Sequence, residues 1–540
     1  MRSPQFSLLA AALMAAAPAA MAAPRPATPP PFVPGASLSS YSVDEVAPLR
    51  TQGTHPVIEG SYMIMLKGGL SATQFLAHQQ LISTAQLSAS AFHGASAEGA
   101  DGIGHIYELD ESLQGYAGKF TPDVIDYIRA LPEVEYVELD SVVKTTEMPY
   151  DGSMVWDVPY DVSIDEAVSA QSAHSQNLEK GAPWGLSRVS HRKQLGLGTF
   201  SKYLYDSHAG EGVVAYIIDT GININHVEFE GRASWGKTMP AGSTDRDGNG
   251  HGTHCTGTVI SNKYGVAKKA EAVAVKVLSD SGSGSMSDVT GGVLWAVADA
   301  KKRSAEFALA PSSTKAKKHK GFVANMSLGG GKSPTLDRAV DGATKSGLAF
   351  AVAAGNENQD ACNTSPASAP GPVTVGASTI QDDRAYFSNK GKCVDVFGPG
   401  LNILSTWNTG NTSTNTISGT SMASPHVCGI LAYYLSLTDT SSSSASSLSF
   451  MTSKVSPLLA SLPLPDSMAL MAFKATQWLF GAEEGADTFA KFADGPILNA
   501  LSPDDLKILI EKVATKGALH SLDKDTVNLL VFNNATESTK

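Results

Sequence analysis

Three side chains at favourable positions define the chemistry this sequence could perform. Asp219 follows the apolar run Val213–Ile218 and precedes Thr220-Gly221, which delivers a carboxylate at the end of a strand. His251 stands between Gly250 and Gly252. Ser421 opens the small-residue stretch Ser421-Met-Ala-Ser-Pro425, where Pro425 fits a helix only in its first turn. A serine there faces free N–H groups and the positive end of the helix dipole. Its hydroxyl is a weak nucleophile at neutral pH, so a base such as His251 must take the proton and a carboxylate such as Asp219 must hold the other ring nitrogen. The chemistry implied is attack on an acyl carbon. Asn356, in a Gly-flanked turn after the run 349–354, offers an amide to the resulting oxyanion, beside the Ser421 N–H.

Other readings of the same residues fail on chemistry. Asp219-Thr-Gly and Asp280-Ser-Gly282 could be two halves of an aspartic dyad, but that site needs two β-rich lobes and this region alternates strand with helix. Asp245-Arg-Asp-Gly-Asn-Gly250 matches the start of an EF-hand loop. Its twelfth position is Thr256, which cannot supply the bidentate carboxylate. His251, His254 and Cys255 suggest zinc, yet no convincing further ligand and no glutamate base accompany them. His251 is better read as a base and His254 as a buried helix residue. The G-x-S-x-G elbow is excluded because Ala423 replaces its last glycine and the partners precede the serine.

The elements that must position these residues follow from periodicity. Beyond about residue 176, short apolar runs at 213–218, 272–275, 322–325 and 349–352 alternate with helical stretches at 287–302 and 336–346. This predicts an α/β fold, a parallel sheet with helices on both faces and the site at strand C-terminal ends. Upstream, the order β-α-β-β-α-β within 59–144 is the plan of a small ferredoxin-like α+β domain. Residues 1–22 read as a secretory signal peptide and 23–58 as a Pro-rich linker with structure starting near 59. Residues 145–176 read as an acidic, protease-accessible linker. The large domain is placed at 177–534, with a Ser-rich insertion at 438–496 and a tail at 535–540.

Composition narrows the partners. The chain has 540 residues, with 42% hydrophobic and only 17% charged, so most of it should fold. Forty basic against fifty-two acidic residues give a net charge of −12, and no basic cluster tracks phosphates, which argues against nucleic acid. No segment after the signal reaches the ~18 apolar residues of a membrane span. The expected location is therefore the secretory pathway, either a vacuole lumen or the extracellular space, where one or two disulfides among four cysteines can persist.

Ile217-Ile-Asp219-Thr-Gly, His251-Gly-Thr-His254, Ala353-Ala-Gly-Asn356 and Gly419-Thr-Ser421-Met-Ala-Ser-Pro resemble the motifs of the subtilases, and through Cys255 those of the proteinase K branch. Gly329-Gly-Gly-Lys-Ser-Pro334 and the run 353–362 are similar to the cerevisin-like fungal vacuolar members. The Asp, His, Ser order is the subtilisin order. The resemblance implies a serine endopeptidase of broad specificity for large apolar residues, made as a self-processing zymogen. Its 59–144 domain would serve as intramolecular chaperone and inhibitor. The pocket walls would be Ser327, Leu328, Gly329 and Ala353, Ala354, Gly355, with Gly282 and Gly284 on the edge that pairs with substrate backbone. It further implies a Cys362–Cys393 disulfide with Cys255 and Cys428 free, no cofactor for the chemistry, a monomer, and a structural calcium held by Asp395 and the Pro370 and Pro372 carbonyls. The insertion 438–496 and a Lys-rich loop near 303–320 depart from the family. The alternative from another class is a catalytically silent subtilase-fold binding protein, against which the intact Asp219, His251, Asn356 and Ser421 argue.

Overall fold

Alternate residues of each buried run face different helix layers, which is why these strands read as unbroken apolar stretches. Ala215, Ile217, Ala272, Ala274, Ala349 and Ala351 pack on one side, and Val214, Tyr216, Ile218, Val273, Val275 and Phe350 on the other. The computed structural model describes residues 29–41, 46–51, 55–94, 99–110, 113–145, 147, 176–438 and 497–535. The expected signal peptide, nearly all of the acidic linker and of the insertion, and most of the tail lie outside them.

In the large domain the strands are β5 (Val213–Asp219), β6 (Ala233–Thr238), β7 (Glu271–Lys276), β9 (Gly321–Met326), β11 (Ala349–Ala353), β12 (Val373–Ser378) and β13 (Val396–Pro399). They pair in parallel in the order β6-β7-β5-β9-β11-β12-β13. The chain therefore reverses direction across the sheet between β5 and β9, and a crevice opens there beyond the strand ends. Helices α3 (His251–Ile260) and α6 (Thr420–Ser436) cover one face, together with α7 (Pro503–Val513). The other carries α4 (Met286–Leu309) and α5 (Pro334–Lys345). Two short strands, β8 (Ser283–Ser285) and β10 (Leu328–Gly331), flank the crevice. The Lys-rich segment expected as a loop is mostly helical, because α4 runs on to Leu309 through good helix formers and an Arg303–Asp299 pair at 2.6 Å.

The N-terminal domain contains β1 (Val57–Leu66), α1 (Ala72–His93), β2 (Gly102–Leu109), β3 (Leu113–Lys119), α2 (Pro122–Arg129) and β4 (Val134–Thr145), in sheet order β4-β1-β3-β2. A capping box of Ser71 and Gln74 starts α1. One sheet face packs under α1 and α2. The other joins the hydrophobic core formed by α4 and α5 of the large domain, through Met63, Met65, Tyr107 and Tyr136.

Ordered structure begins earlier than residue 59. Gly35 N–H donates to Asp123 at 2.7 Å and Leu38 N–H to Asp126 at 2.9 Å, Phe32 lies edge-on to Tyr127, and Leu49–Arg50 pairs in parallel with Val137–Glu138. Prolines exclude a helix or central strand here, but not an extended arm whose few N–H groups find acceptors on α2.

Candidate active site

The strand ends deliver the site residues. Asp219 is the last residue of β5, and the neighbouring strands β9 and β11 run on into Ser327 and Ala353. His251 starts α3. Its cap, Gly250, has φ +112°, and a Cβ there would lie 2.6 Å from the Trp407 ring, so both backbone and space require glycine. His251 Nδ1 bonds the Asp219 carboxylate at 2.8 and 3.0 Å, with both side chains fully buried. Burial alone would push His251 down, but the Asp219 carboxylate holds it well above the usual imidazole value.

Ser421 stands at the start of α6, across Cys255 from His251. Cys255 Sγ lies 3.9 Å from His251 Nδ1 and donates to the Ser421 carbonyl at 3.4 Å. The Ser421 hydroxyl itself donates to the Ser327 carbonyl at 3.0 Å, and His251 Nε2 is buried with no hydrogen-bond partner among the described residues. The serine hydroxyl thus bonds the Ser327 carbonyl and not the imidazole. Catalytic hydrogen bonds often form only when substrate is bound.

Asn356 accepts from both the Thr420 N–H and the Thr420 hydroxyl at 2.9 Å through Oδ1. That network assigns the amide orientation and makes Nδ2 its donor end. Cys362 and Cys393 form a disulfide, while Cys255 and Cys428 are free and buried. His254 is also buried; its Nε2 donates to the Ile403 carbonyl at 2.9 Å, and burial lowers it to about 3. Asn325 is wholly buried, with its amide bonded to Ser327 and Ser424.

The crevice is occupied by the N-terminal domain. Residues Val142–Lys144 of β4 pair antiparallel with Ser285–Ser283 of β8, Lys144 and Thr145 pair with Gly329 and Leu328 of β10, and Thr145 N–H donates to the Gly282 carbonyl at 3.0 Å. The expected edge at Gly282 and Gly284 and the wall at Leu328 and Gly329 thus accept an added strand. Ala353, Ala354 and Gly355 border the Asn356 loop.

Several residues in this architecture are not evident as site residues from local patterns. Asp247, in the loop that resembles an EF-hand, accepts from Asn249 and Gly250 N–H groups, the Thr220 hydroxyl and both Thr253 donors. One carboxylate thereby caps α3 and ties it to the Asp219 turn. Asn389 accepts from Glu357 and Gln359 N–H groups and donates to the Ala354 carbonyl at 2.9 Å, which braces the Asn356 loop.

Glu138 and Asp140 lie two residues apart on β4, so they point to the same face. Glu138 accepts from Thr335 N–H and Oγ1 at the start of α5; Asp140 accepts from Ser287 N–H and Oγ at the start of α4. Each acts as a helix cap supplied by the other domain, worth about 1 kcal/mol. Burial raises the Asp140 carboxyl above its ordinary value, despite hydroxyl donors from Ser287 and Ser61. A group raised on docking contributes stability that is full below the ordinary carboxylate value and lost as pH rises through the raised one. Asp140 therefore favours docking in acid. Replacing both acids by alanine should speed dissociation of the cleaved domain by roughly 30-fold at neutral pH. Asp140→Asn alone should remove the acid-side gain. Dissociation rates measured across pH check both, and unchanged rates would contradict the capping role.

The calcium expected at Asp395, Pro370 and Pro372 does not fit this structure. The ammonium of Lys507 in α7 donates to the Pro370 and Pro372 carbonyls at 3.0 and 2.8 Å and pairs with Asp395 at 2.9 Å. A cation of the chain itself holds those oxygens. Among the described residues, one group of donors could gather a metal, Asp219, His251 and Cys255, with ligand atoms within 4.8 Å of one another. It includes the buried, hydrogen-bonded Asp219–His251 pair. Burial raises the Cys255 thiol, so it is neutral at physiological pH. A bulky mercurial bound there should displace the imidazole and inhibit. Cys255→Ser should stay active and lose that sensitivity, as titration with an organomercurial would show; a folded, inactive Cys255→Ser enzyme would contradict the reading.

A parallel α/β sheet with a buried Asp–His pair and a helix-start serine at its strand ends defines a serine hydrolase of the Asp-His-Ser order. The Subtilase family model matches residues 210–458 and the Peptidase inhibitor I9 model residues 61–146. Alkaline protease 2 of Aspergillus fumigatus is 45% identical over 500 residues, 91% of this chain and 84% of that protein. Subtilisin-like protease 8 of Trichophyton verrucosum is 45% identical over 492 residues, 89% of this chain and 94% of its own. A crystal structure of a cold adapted subtilisin-like serine proteinase is 37% identical, covering 66% of this chain and all of that one, with a TM-score of 0.48. The chain belongs to the subtilase family. It is a subtilisin-like serine protease with an I9 propeptide domain that marks it as a zymogen, its substrates are peptides, and the family needs no cofactor for catalysis. Among the described residues, no helix is long and apolar enough to cross a membrane.

Proposed function

We propose that this protease cuts its own linker and then cleaves peptides of broad sequence, with Ser421 as nucleophile, His251 as general base, Asp219 as its orienter, and Asn356 Nδ2 with the Ser421 N–H as oxyanion donors. The observation that carries this reading is the pairing of Val142–Thr145 between β8 and β10, a strand laid into the crevice as substrate would be. Small residues at Ser327, Gly329, Ala353, Ala354 and Gly355 leave room for a large apolar side chain, which supports broad apolar specificity. The domain that docks through Glu138 and Asp140 acts as chaperone during folding and as inhibitor after the cut. The signal-like residues 1–22 support delivery to the secretory pathway, ending in a vacuole or outside the cell.

Register supports a first cut close to the end of this pairing. Pairing ends with Thr145 opposite Leu328, one step before Ser327, whose carbonyl accepts the Ser421 hydroxyl. That register supports a first cut in the linker shortly after Thr145, with further trimming toward Ala182. A tethered substrate is present at high effective concentration, so the first cut is intramolecular. Precursor should disappear at a first-order rate constant independent of its concentration, with mass spectrometry placing the first new N-terminus in the linker after Thr145. A rate constant that rises with precursor concentration would overturn self-cleavage.

A further inference from the structure

The cluster around Lys507 is assembled from three distant parts of the chain. Lys507 lies on α7, Pro370 and Pro372 form the turn leading into β12, and Asp395 immediately precedes β13. An ammonium has three N–H donors and no acceptor, and here it meets three oxygens, at 3.0, 2.8 and 2.9 Å. Its hydrogen-bonding capacity is filled. Asp395 is held in turn, since its Oδ2 accepts from Thr374 N–H at 2.8 Å and its own N–H donates to the Thr374 carbonyl at 2.9 Å. The Lys507 and Asp395 side chains are each only 19% exposed, so water screens the pair poorly.

Two carbonyls and one carboxylate on fixed backbone are hard oxygen donors, the type a calcium ion takes. With the lysine present, a divalent ion would have to expel a covalently tethered cation before reaching any of them. We propose that Lys507 is a built-in substitute for a metal ion, which makes this corner of the protease independent of divalent cations and resistant to chelators. The lysine clamps α7, the helix after the Ser-rich segment, to the turn at 370–372. Glu511, one helical turn beyond Lys507 and close enough to Asp395 to feel its charge, would become a further carboxylate for a metal once the lysine is gone. The inference concerns stability and metal binding alone and does not rest on the catalytic roles proposed above.

The test uses the full-length Ser421→Ala precursor, so that self-digestion does not enter. Its melting temperature should be the same in chelator and at roughly millimolar calcium, since an ion cannot displace the lysine. Lys507→Ala should melt lower in chelator and regain much of the loss on adding calcium, which should bind it in calorimetry. Adding Asp395→Asn to Lys507→Ala should abolish that binding. If the precursor with Lys507 intact is stabilised by calcium and Asp395→Asn removes the effect, the proposal is wrong. It is equally wrong if Lys507→Ala matches its parent with and without calcium. Should Lys507→Ala fail to fold, the calcium titration of the parent and of its Asp395→Asn variant still decides.

Discussion

Ser421→Ala is expected to lower peptide hydrolysis by about 10^6-fold while leaving the fold in place, a magnitude carried over from subtilisin rather than derived from these distances. The reason for so large an effect is that the hydroxyl is the only atom removed, yet the whole route through a covalent acyl intermediate needs it. The reason for the intact fold is that Ser421 contributes to α6 through its backbone. Its carbonyl accepts from the Ser327 hydroxyl at 2.8 Å and from Cys255, and both bonds survive the substitution. The lost hydroxyl leaves the Ser327 carbonyl short of one donor. The variant should therefore accumulate as an uncut precursor, and melting compared with the parent distinguishes loss of chemistry from loss of structure.

Asp219→Asn should lower kcat by about 10^4-fold with little change in KM, again the size known for removal of this carboxylate in the subtilisin mechanism. In the present structure the carboxylate does two things at once. It accepts from His251 Nδ1, which leaves Nε2 as the nitrogen that can receive the serine proton, and it offsets the burial that would otherwise drive the imidazole toward neutrality. An amide can present its N–H to Nδ1 and select the wrong tautomer. With the charge gone, burial governs His251, and its titration should move down from well above the usual imidazole value. NMR titration of His251 in the Ser421→Ala precursor, with and without Asp219→Asn, checks the direction. A value that stays high in the double variant would show that some group other than Asp219 holds the proton.

Those positions were legible because their surroundings are local. A carboxylate after an apolar run, a histidine between glycines and a serine before Ala-Ser-Pro announce strand end, helix start and helix start by chain neighbours alone. Alternation of strands and helices foretold the sheet with helices on both faces for the same reason. What escaped the sequence depends on pairings far apart in the chain. Glu138 and Asp140 look like solvent-facing charges on a strand, and only their contact with Thr335 and Ser287, on helices of another domain, shows them as caps. Asp247 fits half of a calcium loop until its five donors are seen to be the chain's own. Lys507 reads as one more exposed helix lysine, so the family resemblance suggested calcium where the fold had placed an ammonium. Residues 23–58 read as a linker because proline rules out regular elements but says nothing about docking on a neighbour, as the arm at 29–41 and 46–51 does. The direction of the Ser421 hydroxyl is a side-chain torsion, a degree of freedom on which residue types and spacing are silent.

The proposed mechanism stands or falls on Ser421 being the nucleophile which His251 activates. Reaction of the matured enzyme with a fluorophosphonate, followed by digestion and mass spectrometry, tests it most directly, because only a serine activated by its neighbours reacts. One adduct per active molecule is expected, carried by Ser421 and formed in step with loss of activity. An active enzyme that labels at a different residue, or that loses activity with Ser421 unmodified, would contradict it.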